Sequence, residues 1–285
     1  MFNASIIVAT YNRANSLNKV LEAMQNQDFS GTYEIIVVDD GSIDNTPTVA
    51  SRYPVRFLSQ EHKGPAAARN LGIKKSQYPI IVVMDDDCLP EQQWLSNLLD
   101  GFKGDNIGIV SSFSYFGGTS TAYLKKAITS VGYFDEKFPF EYREDTDLVF
   151  RIQDKGYKVK VVQNAKFIHL HQSPKNLEGK LRYILERLWV HRIDPFLFKK
   201  HPKRTKDFLD IKAGFIRNPI KDFQVATGTW IKGERLKLSS PQGVVLIENK
   251  TLIHSILIIL GGILYTFAVK LVRLYGSFRY RKLLI

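Results

Sequence analysis

The feature that most constrains the fold is an alternation that fills the first hundred residues. Four apolar runs, SIIVAT (5–10), EIIVVDD (34–40), VRFLSQ (55–60) and IIVVMDDD (80–87), are each followed by a stretch of helical character, at 15–27, 45–53, 64–76 and 90–102. Strand and helix repeating at this spacing predict an α/β fold with a mostly parallel central sheet and helices on both faces. Two of the runs end in acids, Asp39-Asp40 and Asp85-Asp86-Asp87. The carboxyl ends of parallel strands are where such sheets place their ligands.

Charge divides the chain. Residues 1–170 hold 18 Lys and Arg against 20 Asp and Glu, whereas residues 171–285 hold 22 against 8, so the net charge of +12 belongs to the C-terminal part. That part is expected to meet an acidic partner, such as a membrane surface, a nucleic acid or an anionic substrate. A hydrophobic content of 44% is enough for a sizeable core. The single cysteine, Cys88, excludes a disulfide framework and any multi-cysteine zinc site. The opening MFNASIIVATYNR lacks a basic start ahead of a long apolar stretch, so no secretory signal is expected.

Four polar constellations can carry chemistry. Three adjacent carboxylates, Asp85, Asp86 and Asp87, repel one another unless a cation sits among them. If strand alternation continues through them, Asp85 and Asp87 share one side, and two oxygens there suit Mg or Mn. The plain reading is a solvated loop that caps the next helix. In VVDDGSIDNT (37–46), an acid pair precedes a turn and a helix start, with Asp44 and Asn45 as candidate N-caps. In EYREDTDLVFRI (141–152), a helix starting near Glu144 carries acids in its first turn, where they complement the dipole. In FIHLHQ (167–172), a strand places His169 and His171 on one face, as structural histidines or as metal ligands.

Taken in order, the stretches SIIVATYNR, EIIVVDDGSIDNT, GPAAARNLG, IIVVMDDDCLPEQQWL, VGYFDEKF, REDTDLVFRI and AKFIHLH resemble the family 2 glycosyltransferases. The resemblance covers residues 5 to about 172 and implies the GT-A fold, a Rossmann-like sheet, with inversion at the anomeric carbon of a nucleotide-sugar donor (UDP-, GDP- or dTDP-linked). It implies that Thr10, Asn12 and Arg13 lie along the nucleotide and that Asp39 and Asp40 meet base and ribose. Lys63, Arg69 and Asn70 would line the donor pocket. Asp85-Asp86-Asp87 would be the DXD element, with Asp85 leaning to the ribose and Asp87 as the main contact of a divalent metal, Mn or Mg. Asp85 and one of His169 and His171 would complete the metal contacts. Asp145, with Glu144 beside it, would be the catalytic base. The stretch between Asp87 and Asp145 is short for the family, which leaves fewer residues to enclose the acceptor.

Residues 173–250 are expected to form a basic amphipathic helical region, and Leu177, Leu181, Ile184, Leu185, Leu188 and Trp189 recur at helical spacing there. Residues 251–285 are expected to form a hydrophobic membrane-associated helix or hairpin with a basic tail. The run 252–269 has 18 residues without Asp, Glu, Lys or Arg, just short of the ~20 that cross a bilayer core. Nucleotide sugars are cytosolic, so the catalytic domain, 1–172, should sit on the cytoplasmic face of the cell membrane. A simple crossing would then export a basic tail, against the positive-inside rule. An interfacial helix, or a re-entrant hairpin broken at Gly261-Gly262, avoids this, and soluble packing is the plain alternative. The expected acceptor is a glycan or lipid-linked sugar at an anionic membrane surface. A nucleic-acid partner is not expected, since no reading motif is present. The competing readings are a degenerate, non-catalytic transferase domain that binds membrane or polyanion, and a nucleotidyltransferase, which would want a glycine-rich loop near the N-terminus.

Overall fold

Residues 2–139, 142–170, 176–218, 237–240, 243–246 and 252–285 are described by a computed structural model. The chain divides into two compact units, Met1–His171 and Gln172–Ile285.

The first unit is built on a seven-stranded sheet of order β3-β2-β1-β4-β7-β6-β8. Its strands are β1 (Ala4–Thr10), β2 (Tyr33–Asp39), β3 (Arg56–Ser59), β4 (Ile80–Asp85), β6 (Ile107–Ser111), β7 (Thr121–Leu124) and β8 (Lys158–Val161). The pairs β3-β2, β2-β1, β1-β4 and β6-β8 are parallel, and β7 alone runs antiparallel to its two neighbours. The helices are α1 (Ala14–Gln25), α2 (Thr46–Ala50), α3 (Pro65–Lys75), α4 (Trp94–Leu99), α5 (Lys125–Ser130) and α6 (Glu144–Asp154).

Period-two alternation splits the apolar runs between two cores. Ile6, Val8, Val37, Val82 and Met84 pack with Leu17, Val20, Leu21 and Met24 of α1 and with Trp94, Leu95 and Leu98 of α4. Ile7, Ile36, Val38, Ile81 and Val83 pack on the other face with α3, α5 and α6, through Ala68, Ile73, Ile128, Leu148, Val149 and Ile152. Covering both faces is what allows such continuous apolar strands.

Two details depart from the sequence reading. Strand β4 stops at Asp85, so Asp86 and Asp87 lie in a turn and strand alternation does not extend to them. The helix expected over 90–102 is shorter, because Cys88–Pro90 forms a strand, β5, paired antiparallel with β9 (Phe167–His169) in a separate two-stranded sheet.

The second unit holds α7 (Leu177–Trp189), α8 (Asp194–Lys200), α9 (Pro202–Leu209) and α10 (Leu252–Tyr280). It also holds two short antiparallel hairpins, β10 (Ile211–Ala213) with β11 (Ile216–Arg217), and β12 (Lys237–Ser240) with β13 (Gly243–Leu246). The region 173–250 is thus less uniformly helical than its spacing implies. Helix α10 runs unbroken through Gly261-Gly262, so the hairpin break expected there is absent. Among the described residues, no helix is long and apolar enough to cross a membrane.

The C-terminal half of α10 is locked into its unit. Arg273, 1% exposed, donates through Nε to Asp194 at 2.9 Å, and His191 Nδ1 lies 3.2 Å from the same carboxylate. Gly276 presses on the Arg192 backbone so closely that a Cβ there would collide with the Arg192 carbonyl.

Candidate active site

The site lies at the carboxyl ends of β1, β2 and β4. Thr10, the last residue of β1, is buried and donates its hydroxyl to Asp86 Oδ2 at 2.7 Å. Arg13, at the start of α1, donates Nη1 to Asp87 Oδ2 at 2.6 Å and to Asp86 Oδ1 at 3.3 Å. Asp85 turns the other way and accepts from Arg69 Nη2 at 3.1 Å. The triplet is therefore divided as one against two, with Asp86 and Asp87 together, because the strand ends before them.

Burial pushes the Asp86 carboxyl up to about 7, and its neighbours Asp87 and Asp85 add to the rise. Arg13 and the Thr10 hydroxyl pull it the other way.

The second acidic cluster meets the first through Arg69. Its guanidinium is 4% exposed, donates Nη1 to Glu144 Oε1 at 2.9 Å while Nη2 holds Asp85, and lies 5.7 Å from the centre of the Phe134 ring. Glu144 and Asp145 open α6, where the N-terminal dipole favours acids. Asp145 lies against Gly117, whose φ is +87; a Cβ there would be 3.1 Å from Asp145 Cβ and 3.3 Å from the Tyr123 hydroxyl. Tyr123 is fully buried below this corner, and burial, then the Asp145 charge, raises its phenol well above its usual range.

The loops that follow β1, β2 and β3 are fixed by the other acids. Asp40 accepts from the backbone N–H groups of Lys63 and Gly64 at 2.9 and 2.8 Å and from Gln60 Nε2 at 2.7 Å. Asp39 accepts from Ser42 N at 3.0 Å. Asn12 donates its backbone N–H to Ser42 Oγ and accepts from Ile43 N, both at 2.8 Å, so the β1 and β2 loops are tied together. The Lys63 side chain is exposed. Asn70 does not line this cleft: it is buried, with Nδ2 donating to Phe134 O at 3.0 Å and Glu136 Oε1 at 2.8 Å, and Oδ1 accepting from Phe134 N. It clamps the loop that carries Phe134, against which Arg69 rests.

Among the described residues, the candidate ligand atoms for a divalent cation that lie within 4.8 Å of one another are those of Asp87, Cys88 and His169. The β5-β9 register sets Cys88 opposite His169, which brings His169 Nε2 to 3.6 Å from Asp87 Oδ1. The Cys88 thiol is raised by burial, and further by Asp85, and a soft sulfur is in any case a poor partner for a hard ion. The Asp87 carboxylate suits Mn or Mg, whereas the His169 imidazole is a softer ligand than these ions prefer. Asp85 is outside this group, and His171 lies outside the described residues.

Sequence reasoning missed several residues here. Thr119 Oγ1 accepts the Asp85 backbone N–H at 3.0 Å, Tyr123 underlies Asp145, and Tyr11 stacks on His62 with ring centres 4.2 Å apart. The adjacent glycines 117 and 118 were the available signal for the first two, since they mark a tight approach of backbone to a neighbour.

The model of the family described as Glycosyl transferase family 2 matches residues 5–162. Glycosyltransferase AglE of Haloferax volcanii is 32% identical over 137 residues, covering 45% of this chain and 45% of that protein. The chain spans less than half the length of curated relatives such as this one. Among solved structures, mannosyltransferase PcManGT from Pyrobaculum calidifontis, in complex with GDP-Man and Mn2+, aligns with a TM-score of 0.62 at 18% identity, over 96% of this chain and 87% of that one. Glucosyl-3-phosphoglycerate synthase from Mycobacterium tuberculosis, in complex with Mg2+ and uridine diphosphate, aligns with a TM-score of 0.55 at 17% identity, over 70% and 79%. The chain shares the fold of these structures.

Proposed function

Because the chain belongs to glycosyl transferase family 2 and has the GT-A fold, we propose that it transfers a sugar from a nucleoside diphosphate donor to a hydroxyl acceptor with inversion. The observation that carries this reading is the Arg69 bridge: one buried guanidinium joins Asp85 to Glu144, so two acidic clusters 59 residues apart in sequence lie next to each other. That juxtaposition suits a displacement in which one cluster manages the diphosphate and the other a proton.

Asp145 is the general base in this reading. It takes the proton of the acceptor hydroxyl as that oxygen attacks the anomeric carbon from the face opposite the leaving diphosphate. Glu144, held by Arg69, fixes the start of α6 and with it the position of Asp145. Thr10, Asn12 and Arg13 run beside the nucleotide, and Asp39 and Asp40 shape the loops that receive base and ribose. The stacked pair Tyr11 and His62 forms an aromatic wall at the same edge. Asp87 and His169 would hold a divalent cation, which when bound supplies positive charge to the departing diphosphate. The ligands named for the two solved neighbours, GDP-Man with Mn2+ and UDP with Mg2+, support a donor and a cation of these classes.

The acceptor is a membrane-associated glycan or lipid-linked sugar, and the catalytic unit works at the cytoplasmic face of the membrane. The basic charge confined to residues 171–285 supports this. The test is a screen of UDP-, GDP- and dTDP-sugars for release of nucleoside diphosphate, with Mn or Mg and with chelator. Cation-dependent release from one donor class is expected. A protein that binds donors and turns over none of them is the non-catalytic alternative.

A further inference from the structure

The second unit turns apolar side chains outward along two of its helices. On α10, Ile256, Leu260, Ile263, Leu264, Phe267, Leu271, Tyr275 and Phe278 are all exposed, Phe278 by 77% and Leu264 by 70%. At ~100° per residue these eight fall within about a third of the helix circumference, and Tyr265, 41% exposed, projects from the far side. On α7, Leu177, Leu181, Ile184, Leu185 and Trp189 form a second exposed stripe with the same periodicity, and no residue of that helix is buried. The two stripes meet: the Trp189 and Tyr275 rings, one from each, lie 5.2 Å apart. A soluble surface rarely leaves an apolar face of this extent uncovered.

What borders the stripes decides what covers them. Residues 252–285 contain no Asp or Glu, and Lys270 and Arg279 fall on opposite edges of the α10 stripe. Lys180 and Arg182 flank the α7 stripe in the same way, while Glu178 falls on the face of the stripe and pairs with Arg182 at 3.4 Å, and the exposed Glu186 lies beyond Arg182. Arg192 stacks over the Trp189 ring at 4.8 Å where the stripes join. An apolar band with cations along its edges and Trp and Tyr at the boundary matches a bilayer interface, with acyl chains below and anionic headgroups at the rim. The opposite side of α10 is held by the Arg273–Asp194 pair and by the Gly276 contact, so the band is presented on a fixed frame.

We infer that the joined α7 and α10 stripes are a monotopic docking face for an anionic lipid bilayer, with both helices lying in the plane of the interface. This inference refines the membrane seat in the proposed function and does not depend on sugar transfer, because binding is read without turnover. The covering partner is lipid, and a second copy of the chain is the rival that the test separates.

The full chain is floated with vesicles of phosphatidylcholine containing about a third phosphatidylglycerol, and with phosphatidylcholine alone. Wild type should partition onto the anionic vesicles. Leu264→Glu with Phe267→Glu, and separately Leu181→Glu with Leu185→Glu, should each weaken that partition roughly tenfold or more. Because all four side chains point to solvent, the thermal midpoint should not fall, and circular dichroism checks it. Added salt should weaken wild-type binding as well. Failure of wild type to bind anionic vesicles overturns the inference, as does binding that neither pair of substitutions changes. A concentration-dependent dimer abolished by the same substitutions, without vesicle binding, assigns the face to a second copy and also overturns it. Donor hydrolysis measured on the same variants should match wild type, so a failed docking face and a failed transferase reading give different results.

Discussion

The two units solve the burial of charge and of apolar surface in opposite ways. In Met1–His171, apolar side chains are sealed on both faces of the sheet and acids are gathered inward at the strand ends, where Arg13 and Arg69 offset them. Among the described residues of Gln172–Ile285, the buried charge is gathered around Asp194, and the apolar stripes face out. In the proposed reading, the internal acids serve a ligand that brings positive charge and the external apolar bands serve a surface that brings negative charge, so that the +12 chain would separate chemistry from location along its length.

The sharpest way to break this comparison is Asp145→Asn. Donor turnover should fall by ~10²–10⁴, the usual worth of a general base, while vesicle partition stays at the wild-type level. Loss of both together, in a folded protein, would mean that the two functions are not separable. Next in size are Arg69→Met and Arg273→Met. Each removes the guanidinium beside a buried carboxylate, Glu144 in the first case and Asp194 in the second, and breaking such a pair by removing one partner costs about 3–5 kcal/mol. Denaturant melts read by probes in each unit should show Arg69→Met acting on the first and Arg273→Met on the second. Arg69→Met should also lower turnover, since it releases Glu144, whereas Arg273→Met should leave soluble-donor hydrolysis near wild type.

A smaller effect sharpens the comparison from the first unit's side. The Asp86 carboxyl sits at about 7 in the folded protein, above the usual carboxylate range, chiefly through burial. Between the unfolded value and about 7 the native state holds a proton that the unfolded state has lost, so this group makes stability fall as pH rises through that window. Asp86→Asn should flatten that part of the cation-free stability profile, measured by thermal melts at several pH values. An unchanged slope would show that Asp86 is ionised throughout.

Much of the first unit was legible because its signals are local. Period two in IIVV runs, helical period between them and acids at the run ends specify the sheet, the faces and the ligand edge without distant information. The triplet was read less well. Whether Asp85 pairs with Asp87 or stands apart depends on where β4 stops, and the pairing of Cys88–Pro90 with Phe167–His169 ends it, a contact between segments far apart in sequence. Arg69 was expected in the donor pocket, but its reach from Asp85 to Glu144 is a tertiary fact with no periodic trace. Asn70 reads as a pocket residue from its neighbours in GPAAARN, yet the structure uses it to hold the Phe134 backbone. In the second unit, the amphipathic pattern of α7 was plain from Leu177 to Trp189, but a pattern cannot say whether its apolar side turns in or out. In the structure it turns out, since no residue of α7 is buried.

The central claim is that Asp87 serves donor binding and Asp145 serves the transfer step, at one cleft. It is tested most directly by titrating nucleoside diphosphate, with and without Mn, into wild type, Asp87→Asn and Asp145→Asn by calorimetry. The account predicts Mn-dependent binding to wild type, its loss in Asp87→Asn, and affinity within about twofold of wild type in Asp145→Asn, since general-base catalysis acts on the rate alone. Binding to wild type that ignores Mn, or equal loss in both variants, would contradict it.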